Sequence, residues 1–375
     1  MCSGFVKPLM LWYNTNARDL PWRRTKNPYR IWVSEIMLQQ TQVEAVKSYY
    51  NRFLTALPYL CDLAVCPENE LLKLWEGLGY YSRVKNMKKA AILIMEKYGG
   101  RFPDRADELR MLPGIGDYTA GAIASIAFGR AEPAVDGNVL RVYTRLTGLR
   151  EDIMKEATRN KIRWRLSGLD LPDGENWGNL NQAFMDFGSS VCLANAMPLC
   201  DGCPLKDGCI AFSEGTVREL PVRSKKADRK KEQKTVLLVR DGELTALRKR
   251  PEEGLLSGMY EFPNKEGVLT EKEALNFVRE HGCEPLKITP LPEAKHLFSH
   301  IEWQMTGYEI RISQRNTEVR EIQKEELIFA DPEEIENKYP VPSAFRAYAR
   351  LLRIRIGKKP RRRENEDSDS GNTLL

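Results

Sequence analysis

Residues 112–138 read LPGIGDYTAGAIASIAFGRAEPAVDGN, and the rest of the chain is organised around them. Leu112-Pro113-Gly114-Ile115-Gly116 is a tight turn between two apolar-periodic segments. Two glycines one residue apart leave backbone amides uncovered, and glycine tolerates the positive φ of such turns. A helix is predicted directly afterwards, with Asp117 as its cap. Bare amides at a helix N-terminus form an anion site into which a nucleic-acid phosphate would fit. Ala120, Gly121, Ala122 and Ala124 leave that helix thin, so another element packs close to its backbone. Pro133-Ala134-Val135-Asp136-Gly137-Asn138 then sets one carboxylate at the mouth of a further helix, NVLRVYTRL. A Gly-x-Gly turn alone is ordinarily a plain turn.

Downstream lies Cys192-x7-Cys200-x2-Cys203-x5-Cys209. Four thiolates in a compact stretch suit a metal centre. Zinc ribbons generally use two C-x2-C knuckles, and only one is present, so a [4Fe–4S] cluster fits better. In this order, the turn, the spacing to Asp136 and the cysteines resemble the helix–hairpin–helix DNA glycosylases related to endonuclease III. That family has six residues in the first cysteine gap and this chain has seven, so one residue is expected to loop out. Lys206 could present its charge to DNA from this loop.

Two N-terminal blocks narrow the resemblance: Leu20-Pro21-Trp22-Arg23, and Ser34-Glu35-Ile36-Met37-Leu38-Gln39-Gln40-Thr41-Gln42. Both are similar to the MutY-type adenine DNA glycosylases. Read physically, Glu35 opens a helical pattern continuing through Val43, Val46, Tyr50, Phe53 and Leu57, with Ser34 as its cap. A glutamate in a first turn is ordinarily a dipole partner. One tucked among Ile36, Met37 and Leu38 would hold its proton at neutral pH, as a general acid must. The polar run 39–42 could probe a duplex and fill the gap left by an extruded base. The resemblance implies Gln40 as that wedge and Thr41 as a neighbouring DNA contact.

Gly77-Leu78-Gly79-Tyr80 breaks a helical region and is read either as a glycine-capped corner or, by resemblance, as a turn that stacks Tyr80 into the duplex. Arg83 and Lys85 are then expected near phosphate. Position 118 is a tyrosine, where bifunctional relatives carry the lysine that forms a Schiff base. Base removal without efficient strand cleavage follows. Gln182 is polar within an apolar helix. Its amide could read an adenine edge, or serve as a buried structural amide. The resemblance further implies Gly114 and Gly116 as phosphate contacts, and Tyr118 and Asn138 as positioning groups. It also implies Trp22, Arg23 and Gln182 around a flipped adenine. Glu35 then acts as proton donor and Asp136 as the ionised stabiliser of an oxocarbenium-like sugar.

From Thr235 the hydrophobic period changes. Val236–Val239, an Asp241-Gly242 turn and Leu244–Leu247 predict a β-hairpin. Further strands and the helix EKEALNFVREHG resemble the Nudix-like C-terminal domain of the same family, but the acidic helix set that would hold Mg²⁺ is missing. The resemblance implies lesion recognition there, with Phe298-Ser299-His300 meeting 8-oxoguanine.

The expected architecture is therefore multidomain. Residues 1–212 form an all-α helix–hairpin–helix glycosylase domain with its iron–sulfur loop, and 213–234 a basic linker. Residues 235–356 form an α+β Nudix-like domain, and 357–375 a disordered charged tail. The 375 residues carry a net charge of +6, which is compatible with nucleic acid without proving it. No apolar run reaches membrane-spanning length, and the N-terminus lacks a signal-peptide core, so cytoplasmic placement is expected, with no membrane partner. A monomer is expected as well. The partner implied is double-stranded DNA with adenine opposite 8-oxoguanine or guanine. The rival readings are a pyrimidine glycosylase with lyase activity, a non-catalytic iron–sulfur DNA-binding protein and a Nudix hydrolase. Tyr118, the Glu35/Asp136 pair and the missing acidic helix argue against them in turn.

Overall fold

A computed structural model describes residues 4–224, 228–315 and 326–357. The expected disordered tail, residues 357–375, falls outside the described residues from 358 onward. The chain divides into two compact units, residues 1–65 with 86–226, and residues 66–85 with 227–375.

The first unit is helical. The stretch around Glu35 begins earlier than its apolar spacing suggests. Asn27 caps a helix at Pro28–Leu38 by accepting from the Arg30 amide, and Pro28 supplies the fixed φ of a first helical position. Ser34 is therefore no cap: it and Glu35 lie inside the helix, and Ser34 Oγ donates to Ile31 O at 2.7 Å. The apolar pattern also does not run on as one helix. Gln40 sits at φ +61°, and a second helix starts at Val43–Ala56.

The hairpin stretch gives the helix Asp117–Phe128, with Gly116 rather than Asp117 at the cap position. Asp117 is instead a first-turn residue whose carboxylate accepts from Arg163 Nη2 at 2.6 Å. Gly114 has φ +77°, and a Cβ there would come within 2.7 Å of the Asn86 side chain. The thin face of this helix does receive a neighbour, since a Cβ on Gly121 would stand 2.6 Å from the Pro133 carbonyl oxygen. That close approach brings the loop before Asp136 against the helix carrying Tyr118. The core joins Val6, Leu9 and Met10 of the helix Val6–Asn16 to the helices Gly137–Thr147 and Trp177–Ser190, through Val139, Val142, Leu180, Phe184 and Phe187.

Among the described residues, the second unit is built on a sheet of seven strands. They are β1 (Lys230–Asp241), β2 (Leu244–Lys249), β3 (Tyr260–Glu261), β4 (Asn264–Glu266), β5 (Cys283–Leu297), β6 (Ile301–Arg315) and β7 (Leu327–Ala330). The main order is β3-β2-β1-β6-β5, with β4 on β1 and β7 on β2. The predicted hairpin is present, with Asp241 opposite Leu244. β1 and β6 run parallel, and all other pairs are antiparallel. The helix Glu271–Glu280 starts in a reciprocal capping box between Thr270 and Glu273.

Two features revise the expected linker. Val217 and Leu220 pack with Ala211 beside Cys200 and Cys209, so the first part is folded onto the cysteine loop. Lys230–Lys234 pair with Ile301–Met305, so the last part is strand: its backbone groups find a ladder that its charged side chains did not advertise. Residues 66–85, which the expected division placed with the helices, cluster with the sheet unit. There Glu76 accepts from the Val341 amide at 2.8 Å and the Gly357 amide at 3.0 Å, while Lys73 donates to the Ile335 and Tyr339 carbonyls.

Candidate active site

Within the helical unit, a cleft of about 790 Å³ is lined by Trp22, Arg23, Glu35, Gln40, Thr41, Tyr118, Asp136, Asn138 and Gln182, among others. Nine of the residues singled out in the sequence thus meet in one place, though they span residues 22 to 182.

Glu35 is 4% exposed, and Tyr118 donates its hydroxyl to Glu35 Oε2 at 2.5 Å. Burial pushes the Glu35 carboxyl up from its ordinary 4.5 to about 7; the Tyr118 hydrogen bond opposes this, the negative Asp136 adds to it, and Arg23 opposes it. Burial, with the charges of Glu35 and Asp136, sends the Tyr118 phenol well above its usual range, so it stays a donor.

Asp136 caps the helix Gly137–Thr147. Its Oδ1 accepts from the Asn138 and Val139 amides at 2.9 and 2.8 Å, and its Oδ2 from Asn138 Nδ2 at 2.7 Å. Burial raises its pKa, and these donors, together with Arg141, pull the other way. The helix N-terminus itself favours the ionised form. Asn138 Oδ1 is held in turn by Arg141 Nη2 at 2.9 Å. The cleft therefore holds two carboxyls of different character: one beside a phenol and short of donors, one saturated with them.

Trp22 is buried edge-on against Tyr50. Gln182 lines the cleft, and its Nε2 donates to the Gly178 carbonyl at 3.0 Å. Gln40 is exposed, and its positive φ is a conformation that a non-glycine residue adopts at a cost of about 1–3 kcal/mol. Gly114 and Gly116 form the turn already described and do not line the cleft. Tyr80 is exposed at φ +48° in the second unit. Arg83 and Lys85 do not stand ready for phosphate. Arg83 donates to the Leu78 and Gly79 carbonyls, and burial lowers it to about 10. Lys85 pairs with Glu68 at 2.6 Å. Lys206 lies over the Phe212 ring and 3.8 Å from Asp201.

Sequence reasoning missed Arg18, Arg159 and Met185, which line the cleft, and Asp186 beside it. Asp186 had a signal: it is a charge inside the otherwise apolar run Ala183–Phe187.

Cys192, Cys200, Cys203 and Cys209 line one small pocket with Val142, Leu146, Phe187, Val191 and Leu205. Arg145 Nη1 donates to Cys192 Sγ at 3.2 Å. Burial pushes the Cys203 thiol up to about 11 and raises Cys200 and Cys209, so a metal must displace their protons. Among the described residues no three such ligands gather round one point. Four thiols lining one apolar pocket beside the Arg145 guanidinium are a donor set of the kind an iron–sulfur group takes.

In the second unit, Phe298-Ser299-His300 is the tip between β5 and β6. Ser299 and His300 are exposed, and Ser299 Oγ lies 3.1 Å from His300 Nδ1. Phe298 packs edge-on to Trp303 and His296, and its carbonyl accepts from Arg229. The buried Glu261 of the same unit is paired with Arg248 and Arg250.

Two family models match the chain. Residues 33–166 match the HhH-GPD superfamily of base excision DNA repair proteins and residues 235–351 match the NUDIX domain. A solved thermostable thymine-DNA glycosylase is 30% identical, with a TM-score of 0.51, and the match covers 56% of this chain and 96% of that one. The mouse adenine DNA glycosylase is 35% identical over 83% of this chain and 71% of its own length. The adenine DNA glycosylase of Buchnera aphidicola from Acyrthosiphon pisum is 34% identical over 82% and 87%. The chain belongs to the adenine DNA glycosylase family. Its multidomain build, a helical glycosylase domain and a Nudix-like α+β domain, is that expected from the sequence. No helix among the described residues is long and apolar enough to cross a membrane.

Proposed function

We propose that this chain is a monofunctional DNA glycosylase that flips adenine out of a mispair with 8-oxoguanine or guanine and hydrolyses its N-glycosidic bond. The observation that carries the reading is the shared cleft of Glu35, Tyr118 and Asp136. Cleaving a purine from its sugar needs a proton on the leaving base and negative charge against the oxocarbenium-like sugar. Glu35, buried and protonated near neutrality, supplies the proton and afterwards accepts one from water. Asp136, held ionised by backbone amides and Asn138, stabilises the sugar. Tyr118 orients Glu35 and cannot form an imine. Trp22, Arg23 and Gln182 hold the extruded base, while Gln40 and Thr41 fill the duplex.

The four cysteines are proposed to hold a [4Fe–4S] cluster that ties residues 192–222 onto the helices, and the looped-out residue of the first gap lies between Cys192 and Cys200. The turns at Gly114, Gly116 and Tyr80 are assigned to DNA contact, and Phe298-Ser299-His300 to the base opposite adenine. Catalysis is assigned to the helical division, and lesion reading to residues 235–356 in a monomer.

A gel assay on an adenine:8-oxoguanine duplex tests this. The wild-type chain is expected to cut the strand only after alkali. Glu35→Gln is expected to bind the duplex while losing about 10²–10⁴-fold in excision, the usual scale of general acid catalysis. Normal turnover by that variant, or cleavage without alkali, would contradict the assignment.

A further inference from the structure

Asp186 lies on the helix Trp177–Ser190, one turn beyond Gln182, and is 1% exposed. A carboxylate so buried must be compensated, and two arginines do it. Arg23 Nη1 donates to Asp186 Oδ2, and Arg23 Nη2 to Oδ1 at 2.7 Å, a two-point grip. Arg18 adds its Nε to Oδ1 at 2.6 Å and its backbone amide to Oδ2 at 3.1 Å. The Tyr13 ring lies 5.9 Å from the Arg23 guanidinium carbon. Burial alone would push the Asp186 carboxyl up, yet these donors hold it below its usual range.

Both arginines also line the cleft that contains Glu35. The charged or titratable groups around Glu35 are Tyr118 from the helix Asp117–Phe128, Asp136 from the cap of the next helix, and Arg23 from the turn Pro21–Arg23, with Arg18 and Arg159 further round the wall. Of these, Arg23 is the cation that acts on Glu35, and it favours the ionised carboxylate, the wrong form for a proton donor. An Arg23 without its counter-charge would act more strongly in the same direction.

We propose that Asp186 is the positioning residue of this cleft: it fixes the Arg23 guanidinium at the base site and neutralises it, so that Glu35 keeps the proton it donates. The inference rests on the excision reading above and adds to it the group that sets the acid's working range. Asp186 touches no reacting atom and acts through Arg23.

The test is a single-turnover excision profile of the full chain between pH 5 and 9 on an adenine:8-oxoguanine duplex, with the Glu35 carboxyl followed by ¹³C NMR in the same variants. In the wild type the rate is expected to fall as pH rises through about 7. In Asp186→Asn that limb moves to lower pH by half a unit or more, so excision at pH 8 drops about threefold further than at pH 5.5. In Arg23→Gln the limb moves the opposite way, to higher pH. A residue that only holds the fold together would lower the rate by one factor at every pH, and an unmoved limb in Asp186→Asn overturns the proposal. If Asp186→Asn does not fold, Arg23→Lys decides: it keeps the cation but loses the two-point grip of Asp186, so a limb moved to lower pH supports the proposal and an unmoved limb overturns it. If the wild type releases no adenine, the excision reading fails, and the Glu35 titration still reads the Asp186–Arg23 effect on its own.

Discussion

Two buried glutamates in the two units have opposite surroundings. Glu261, on β3 of the sheet unit, is bracketed by Arg248 and Arg250 and is 1% exposed. Glu35, in the helical unit, is 4% exposed and meets a neutral phenol, a second carboxyl and a cation already engaged by Asp186. Burial with matched charge builds scaffold. Burial without it leaves a group whose protonation state responds near neutral pH, which is what a catalytic acid needs. On the same residue type, the contrast separates a carboxyl that titrates near neutrality in the helical unit from a matched ion pair in the sheet unit.

The comparison breaks most visibly at Glu261. Glu261→Gln leaves two arginines facing a neutral amide, and losing one partner of a buried ion pair costs about 3–5 kcal/mol. Thermal unfolding should show a large loss in the melting temperature of the sheet unit, with adenine excision per folded molecule unchanged. Excision lost in step with Glu35→Gln would erase the distinction between the two sites.

Glu35 should behave in the reverse sense. Its folded carboxyl, raised to about 7 from an ordinary 4.5, binds a proton more tightly than the unfolded chain does. The stability this provides is full below about 4.5 and is lost as pH rises toward 7, so by pH 8 the buried ionised group is a liability of up to about 3 kcal/mol. Glu35→Gln removes that dependence. Denaturant titrations should find it gaining stability over the wild type at pH 8, with the gain shrinking by pH 5. A constant difference across that range would mean the carboxyl is not strained by its burial.

The exposed tip should show the smallest effect. Ser299→Ala removes one hydroxyl hydrogen bond, about 0.5–1.5 kcal/mol. Its preference for 8-oxoguanine over guanine opposite adenine should weaken by about two- to tenfold, with stability unchanged. An identical preference before and after would remove Ser299 from lesion reading.

The site was legible through the family resemblance more than through residue type. A glutamate in a first turn is ordinarily a dipole partner, and it was the resemblance that singled out Glu35, Tyr118, Asp136 and Asn138, all four of which line the cleft. Local geometry was less legible, because short-range signals competed. The apolar residues after Glu35 suggested a helix starting at Ser34, whereas Asn27-Pro28 had already started one. Asp117 looked like a cap, but a partner 46 positions away, Arg163, claims its carboxylate. The same holds for Asp186, whose two arginines lie more than 160 positions upstream. The clustering of residues 66–85 with the sheet unit has a similar cause: the partners of Lys73 and Glu76, at Ile335, Tyr339, Val341 and Gly357, lie far downstream. In the basic stretch, the strand at Lys230–Lys234 was hidden because charged side chains say little about where backbone amides pair.

Catalysis by this cleft requires that Glu35 hold a proton at neutral pH. A ¹³C NMR titration of the Glu35 carboxyl in the folded chain measures this directly, with Glu35→Gln fixing the assignment. The expected midpoint lies near 7, some two units above an ordinary glutamate. A midpoint near 4.5 would mean that the carboxyl is ionised when adenine is bound, and the proposed proton donor would have no proton to give.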